Sequence, residues 1–292
     1  MSELAGVGRT ALWVALGRVV ESARDDRLFA DPLASQFIDA AGIRTPSDEV
    51  LAELIGIMGD YVAIRTRFFD DCAIRACEAG CRQIVVLGAG LDTRAFRLPW
   101  PAGVRLFEVD LPAVLDFKDT VLARVYATPG CARATVAADL SQDWIDALRR
   151  AGFRPDQATG WLAEGVLPYL EATDAQHVVQ KLHSMSARGS RLALEHDDPD
   201  VFEAPLMRRM SELLGFDLAA LTARGRRVDP REWLAGRGWL TSCTDPAEQA
   251  AVYRRPVPPV FDPAVPGSAA EPGRRQRYVL GCLPGEVSPP GS

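Results

Sequence analysis

Four short apolar runs in this chain end in residues able to bind a polar ligand. IVVL (84–87) runs into Gly88-Ala89-Gly90 and then Asp92, VRLFEV is followed by Asp110, ARATVAA by Asp139, and TGWLA by Glu164. A short apolar run that stops at glycines reads as a buried strand meeting a tight turn. In an open α/β sheet, ligands bind in the crevice beyond the carboxyl ends of the strands. The chemistry on offer there is recognition of a nucleotide-like molecule. Carboxylates accept from ribose hydroxyls, amines or an ammonium group, and glycines let the backbone come close.

Two ligand classes fit such a crevice. A dinucleotide site calls for G-x-G-x-x-G, its pyrophosphate on the following helix N-terminus, and an acid about 20 residues further on. Asp110 meets the last criterion and does not discriminate. Position 93 does, because it is threonine rather than glycine, and Asp92 would set a negative charge where the pyrophosphate belongs. S-adenosylmethionine has no phosphate and carries an ammonium and a sulfonium, so strand-end acids favour the methyl donor over NAD(P).

These residues need a scaffold of strands alternating with helices. After the runs at 84–87, 104–110, 132–140 and 159–164 come SRLALEHDD, WLTSCTD and RYVLGCLP as a fifth, sixth and final strand. The intervening helices are marked by Pro112 after Asp110, by Ser141 as a cap with Gly152 as a stop, by a segment at 173–187, and by Asp229-Pro230 with Glu232. Repeated βα units predict a parallel, doubly wound sheet. About eighty residues precede the first strand and read as a helical cap (1–80). They comprise 3–23, a helix opened by Asp31-Pro32, and a long helical stretch over Ser47–Glu78 broken near Gly56 and Gly59. The remainder, 81–292, is the α/β core, with a helical insertion at 199–228. A Pro/Gly-rich stretch at 256–275 is expected to be a loop or disordered, and the tail from Gly285 to be frayed.

Composition bounds the function. A net charge of −6 without a basic stripe argues against a nucleic-acid partner, and 48% hydrophobic residues with 25% charged suit an ordinary globular chain. No apolar run approaches the ~18 residues of a membrane helix, and nothing reads as a secretory signal, so no membrane partner and a cytoplasmic location are expected. The six cysteines form no C-x-x-C. Cys77 and Cys81 have helical spacing but no histidine nearby, so no metal is expected and the thiols should be reduced.

The stretches GAGLDTRAFRL, EVDLPAVLDFK and WLAEGVLPYL, preceded by RLFADPLA and RTRFFDD, resemble the leucine carboxyl methyltransferase family. They are closest to its bacterial branch of S-adenosylmethionine-dependent O-methyltransferases, which includes enzymes of polyketide tailoring. The similarity runs in order from about residue 10 to 245 and weakens over 256–275. It implies a class I methyltransferase-like (Rossmann-like), mostly parallel seven-stranded sheet whose last strand is antiparallel. It also implies roles. Arg65 would pair with the methionine carboxylate, and the Gly88-Ala89-Gly90 backbone would approach the methionine moiety. Asp110, beside Leu111, would accept both ribose hydroxyls, and Asp139 with the N–H of Leu140 would read the adenine edge. Glu164 would lie near the methionine end and Tyr169 on the acceptor side.

The expected reaction is transfer of a methyl group to an acceptor oxygen. A carboxylate, with a pKa near 4, arrives ionised and needs no base, whereas a phenol near 10 usually wants one. The histidines are His177, His183 and His196. The first two belong to a helix behind the sheet; His196 ends the fifth strand near the crevice and is a candidate base, as Tyr169 is a candidate catalytic group. Scarcity of bases favours a carboxylate of a small molecule or peptide as acceptor. Phenolic O-methylation of an aromatic polyketide, an NAD(P)-dependent oxidoreductase and a catalytically silent S-adenosylmethionine-binding protein are the alternatives. The cap and the insertion are expected to close over the acceptor, with Phe29, Phe68, Phe69, Phe202 and Phe216 as walls and Arg18 or Arg24 orienting an acceptor carboxylate.

Overall fold

The strand β1 (Gln83–Leu87) is buried along its whole length, and its side chains divide by the two-residue period of a strand. Val85 and Leu87 enter one apolar core, while Ile84 and Val86 enter another on the opposite face. Burial on both faces is why this run is uniformly apolar. The structure is a computed structural model that describes residues 7–42, 47–223, 228–270 and 276–285.

The other strands are β2 (Arg105–Asp110), β3 (Ala132–Ala137), β4 (Thr159–Ala163), β5 (Arg191–Asp197), β6 (Leu240–Thr244) and β7 (Gln276–Cys282). They form a seven-stranded sheet in the order β3-β2-β1-β4-β5-β7-β6. The first five run parallel, and β7 is antiparallel to both β5 and β6. This is the mostly parallel α/β sheet expected from the sequence. The order reverses at β1, which lies between β2 and β4, so the crevice for a ligand opens there. Leu87 pairs with Val109 and with Ala163. Gly88, Asp110 and Glu164 therefore stand at one level on three adjacent strands.

Helices cover both faces. α7 (Ile145–Arg150), α8 (Ala172–Ser184) and α11 (Pro230–Ala235) pack on the Val85 side. α4 (Tyr61–Glu78) and α12 (Pro246–Tyr253) cover the other side. α1 (Val7–Ser22), α2 (Ala34–Ala41) and α6 (Pro112–Arg124) share a separate apolar cluster. α3 (Asp48–Met58) packs with α9 (Pro205–Leu214), beside which lies α10 (Leu218–Leu221). α5 (Arg94–Arg97) is one turn following the glycines.

Several boundaries differ from the sequence expectation, each for a local reason. The Ser47–Glu78 stretch breaks only at Gly59, whose φ of +50° favours glycine, while Gly56 lies inside α3. Asp31 accepts from the N–H groups of Leu33 and Ala34, but Pro32 stays outside the helix, which starts at Ala34. β3 stops at Ala137. Ser141 caps nothing: its N–H and hydroxyl both donate to Asp139, holding a turn, and α7 begins only at Ile145. α12 was not anticipated, although Asp245-Pro246 with Glu248 forms a capping box. Within the described part of the Pro-rich stretch, a 3₁₀ turn at Pro259–Phe261 buries Val260 and Phe261, and the Ala269 N–H donates to the Val260 carbonyl. Residues 1–6, 43–46, 224–227, 271–275 and 286–292 lie outside the described residues, so parts of the cap, the insertion, the Pro-rich stretch and the tail fall there.

Candidate active site

The turn after β1 is shaped by its glycines. Gly88 has φ +62°, and a Cβ there would come within 2.4 Å of Val166 Cγ2. The Ala89 N–H donates to the Val109 carbonyl, and the Gly90 N–H donates to Asp110 Oδ2 at 2.6 Å. Asp110 also accepts from the Leu111 N–H at 2.7 Å. Burial raises its carboxyl above the usual range, against the lowering effect of these two bonds. Asp110 thus braces the turn, while Leu111 stands at the cap position of α6.

A cavity of about 300 Å³ opens over these strand ends. It is lined by residues 88–92, Asp110, Leu111, Ala138, Asp139, Leu140 and 164–166, so the expected nucleotide-side residues meet in one place. Leu111 is 43% exposed on its rim, an apolar surface that a flat ring could cover. Asp139 lies at the same mouth and Leu140 is buried beneath it.

Below the cavity lies a buried ion-pair network that the sequence reading did not foresee. Arg94, 2% exposed, donates to Asp70 at 2.8 Å, to Glu164 Oε2 at 2.7 Å, and to Asp92. Arg97 pairs with Asp70 as well. Arg65 donates from Nε to Glu164 Oε1 at 3.0 Å and from Nη1 to the Tyr61 hydroxyl at 3.1 Å. Burial alone would raise the carboxyls of Asp92 and Glu164, but nearby arginines outweigh it: Arg94, with Lys118 and Arg97, holds Asp92 at about 2, and Arg94 with Arg65 lowers Glu164. The motif residue Arg94 had no assigned role because two of its partners, Asp70 of α4 and Glu164 just after β4, are far away in sequence.

Arg65 also joins a second cluster. The Tyr61 hydroxyl donates to Glu195 Oε1 at 2.6 Å, the Gly165 N–H donates to Glu195 Oε2 at 2.6 Å, and the Gln276 amide donates to Glu195 Oε1. None of Tyr61, Glu195 and Gln276 was singled out from the sequence. Glu195 had one available signal, a charge inside an apolar β5 run.

Thr10, Val14, Arg65, Gly165 and Tyr169 line both this cavity and a second chamber of about 200 Å³. The chamber walls come from the cap and the insertion: Trp13, Leu54 and Met58, then Val201, Phe202, Met207, Met210 and Phe216, with Phe261 of the Pro-rich stretch. Three of the five methionines lie here, and methionine fills irregular apolar space. Phe202 and Phe216 are walls as expected. Phe68 and Phe69 instead pack in the core around Tyr278, and Phe29 lies under Arg97.

The expected acceptor-side residues separate. Tyr169 stands at the junction, its phenol raised by burial against a lowering hydrogen bond with Thr10, so it stays protonated. Arg18 does not reach the chamber; it donates to Asp31 at 2.8 Å and to the Leu91 carbonyl at 2.7 Å, tying α1 to the glycine turn. Arg24 lines the chamber but is bonded to Asp26 and Asp60. His196 is absent from the chamber lining. Strand alternation turns Glu195 and Asp197 toward the chamber and His196 to the other face, where it lines a small cavity beside α8 and α11. His183 accepts from the Trp239 indole behind the sheet. Among the described residues no group of three or more possible metal ligands occurs, no helix is long and apolar enough to cross a membrane, and the cysteines are free.

The donor set fits S-adenosylmethionine. Four carboxylates, Asp92, Asp110, Asp139 and Glu164, face the larger cavity, and its arginines are already engaged with carboxylates. That arrangement suits a ligand with an ammonium, a sulfonium and hydroxyls, and disfavours a pyrophosphate.

The family model described as leucine carboxyl methyltransferase matches residues 11–183. A protein of Parafrankia sp. provisionally named S-adenosyl-L-methionine-dependent methyltransferase is 48% identical over 259 residues, 87% of this chain and 83% of its own length. A relative of the same provisional name from Saccharopolyspora erythraea is 46% identical over 260 residues, covering 87% of this chain and 90% of that one. The crystal structure of a DUF574 family protein from Streptomyces avermitilis superposes with a TM-score of 0.54 at 17% identity, over 93% of this chain and 97% of that one, and so shares the fold.

Proposed function

This chain belongs to the leucine carboxyl methyltransferase family and is an S-adenosylmethionine-dependent methyltransferase, and from that premise we propose that it converts a carboxylate of a small-molecule natural product or a peptide end into a methyl ester. The observation that carries this reading is the junction. A polar cavity meets an apolar chamber at Arg65, Gly165 and Tyr169, and no histidine lines either space among the described residues.

The bound methyl donor supplies an electrophilic methyl group. The residues supply position. The Gly88-Ala89-Gly90 backbone lets the ligand approach, Asp110 accepts from ribose hydroxyls, Leu111 packs on the adenine, and Asp139 with the Leu140 N–H meets its edge. Glu164 takes the ammonium group. Arg65 Nη2, which makes no hydrogen bond among the described residues, takes the methionine carboxylate. In-line displacement requires the acceptor oxygen about 3 Å from the methyl carbon, opposite the sulfur. The Tyr61 and Tyr169 phenols, raised by burial, remain protonated rather than serving as bases; the Tyr61 proton is committed to Glu195, and Tyr169 is the donor to an acceptor oxygen. An ionised carboxylate needs no base, which suits this wall.

The second reading is phenolic O-methylation, favoured by the carboxylates of Glu195 and Asp197 in the chamber lining. Incubation with methyl-labelled S-adenosylmethionine and a panel of apolar carboxylic acids and phenols separates the two. The expected product is labelled on an acid and releases methanol in mild base. A base-stable ether, with no acid labelled, would overturn the carboxyl reading.

A further inference from the structure

Gln276 opens β7 directly across from Asp197 of β5, is 6% exposed, and lines the acceptor chamber. Its amide orientation is set by its neighbour. Glu195 already accepts from Tyr61 and from the Gly165 N–H, so it faces the NH2 side of Gln276. The amide oxygen therefore turns away from Glu195, and it is buried with no hydrogen-bond partner among the described residues. A buried carbonyl without a donor is costly, and the natural remedy is a donor on whatever fills the space.

We propose that the Gln276 amide oxygen selects the acceptor, and that the chamber takes an apolar-bodied monocarboxylic acid bearing one N–H or O–H donor beside its carboxyl group. The inference rests on the carboxyl-methylation reading above. The apolar body follows from walls such as Trp13, Met207, Met210 and Phe261. The single carboxylate follows from the arginines: among the described lining residues Arg24 is paired with Asp26 and Asp60 and Arg65 with Glu164, so no cation stands ready for a second acid on the ligand. The donor sits beside the carboxyl because Gln276 is one hydrogen bond from Glu195, which in turn holds Gly165 and Tyr61 at the junction with the cofactor cavity.

The test compares matched acids on the full-length enzyme. N-Octanoyl-alanine is paired with its N-methylated analogue, 2-hydroxydecanoic acid with 2-methoxydecanoic acid, and decanoic acid serves as the donor-free reference. The expected result is a preference of roughly tenfold in kcat/KM for the donor-bearing member of at least one pair, since a site built to hydrogen-bond a donor rejects the analogue without it. The pair that responds identifies the donor as N–H or O–H. Gln276→Met should bring the two members of that pair to about equal kcat/KM. Calorimetric binding of the same pairs in the presence of S-adenosylhomocysteine should repeat the ranking, and the wild-type ranking decides the matter even if the variant fails to fold. Equal methylation of both members of both pairs would overturn the role of Gln276 and leave the carboxyl reading standing. Methylation of phenols but of none of the acids would overturn the carboxyl reading itself.

Discussion

The cavity at the strand ends is walled by backbone turns in register and by arginine–carboxylate pairs, whereas the adjoining chamber is walled by methionine, leucine and aromatic side chains from separate helical segments. The first is built to one shape. Glu164 is held from two sides by Arg65 and Arg94, and Asp110 by two backbone N–H groups. The second is held by contacts that have no preferred direction and can repack. A cofactor of fixed shape and charge needs the first kind of wall; a ligand with an apolar body is served by the second.

The sharpest way to break this comparison is to remove the centre of the ion-pair network. Arg94→Met leaves Asp92 without its arginine and takes one of two arginines from Asp70 and Glu164, which keep Arg97 and Arg65, and breaking one side of a buried pair costs about 3–5 kcal/mol. The midpoint of urea unfolding should fall accordingly, and S-adenosylmethionine binding should be lost with it. A loss below about 1 kcal/mol would show that solvent reaches these carboxylates.

Asp110→Asn keeps the shape and removes the charge. Hydrogen bonds to a charged group are the stronger kind, so affinity for S-adenosylmethionine should fall roughly 10- to 100-fold by calorimetry. The acceptor KM at saturating cofactor should stay unchanged. If the acceptor KM moved and cofactor affinity did not, the assignment of the two cavities would be reversed.

Acid should loosen the polar wall first. Asp92 titrates at about 2 when folded, against 3.8 ordinarily, so its contribution is present above about pH 4 and is lost as pH falls through 2. Glu164 is lowered too and acts in the same direction, while Asp110 and Glu21, raised by burial, act in the opposite one. On balance stability should drop from pH 4 to pH 2 by an amount on the order of 2 kcal/mol from Asp92, and Asp92→Asn should flatten that limb. Urea midpoints across this range measure it; an unchanged slope in the variant would place the acid sensitivity elsewhere.

The same division explains what could be read from the sequence. The strands β1 to β5 and their terminal acids were legible because period, glycine and charge are local signals. Asp110 and Glu164 sit level with Gly88 because each follows an apolar run of similar length. Arg94, Tyr61, Glu195 and Gln276 were not legible as a group. They come from α5, α4, β5 and β7, and only the β5–β7 pairing and the packing of α4 on the sheet bring them together. His196 was misplaced as a candidate base by one residue of strand alternation, which no local signal near the end of β5 could resolve. The chamber was visible only as a guess about aromatic walls, because its methionines and leucines read like any helix core.

The smallest expected effect tests the chamber alone. Met207→Leu conserves volume and chemistry in a buried wall position, and such swaps usually cost less than about 1.5 kcal/mol. Cofactor affinity should not change, because Met207 lies in α9 and does not line the cavity at the strand ends. What should change is the ranking of acids that differ only in their apolar body. The branched side chain removes the flexible thioether, and one methylene in an apolar pocket discriminates by about 10-fold or somewhat more. A shift of a few-fold in relative kcat/KM between a straight-chain and a branched acid, with cofactor affinity constant, would separate the two walls by function. An unchanged ranking would mean that α9 only supports the chamber and that its selectivity is set on the α1 and α3 side.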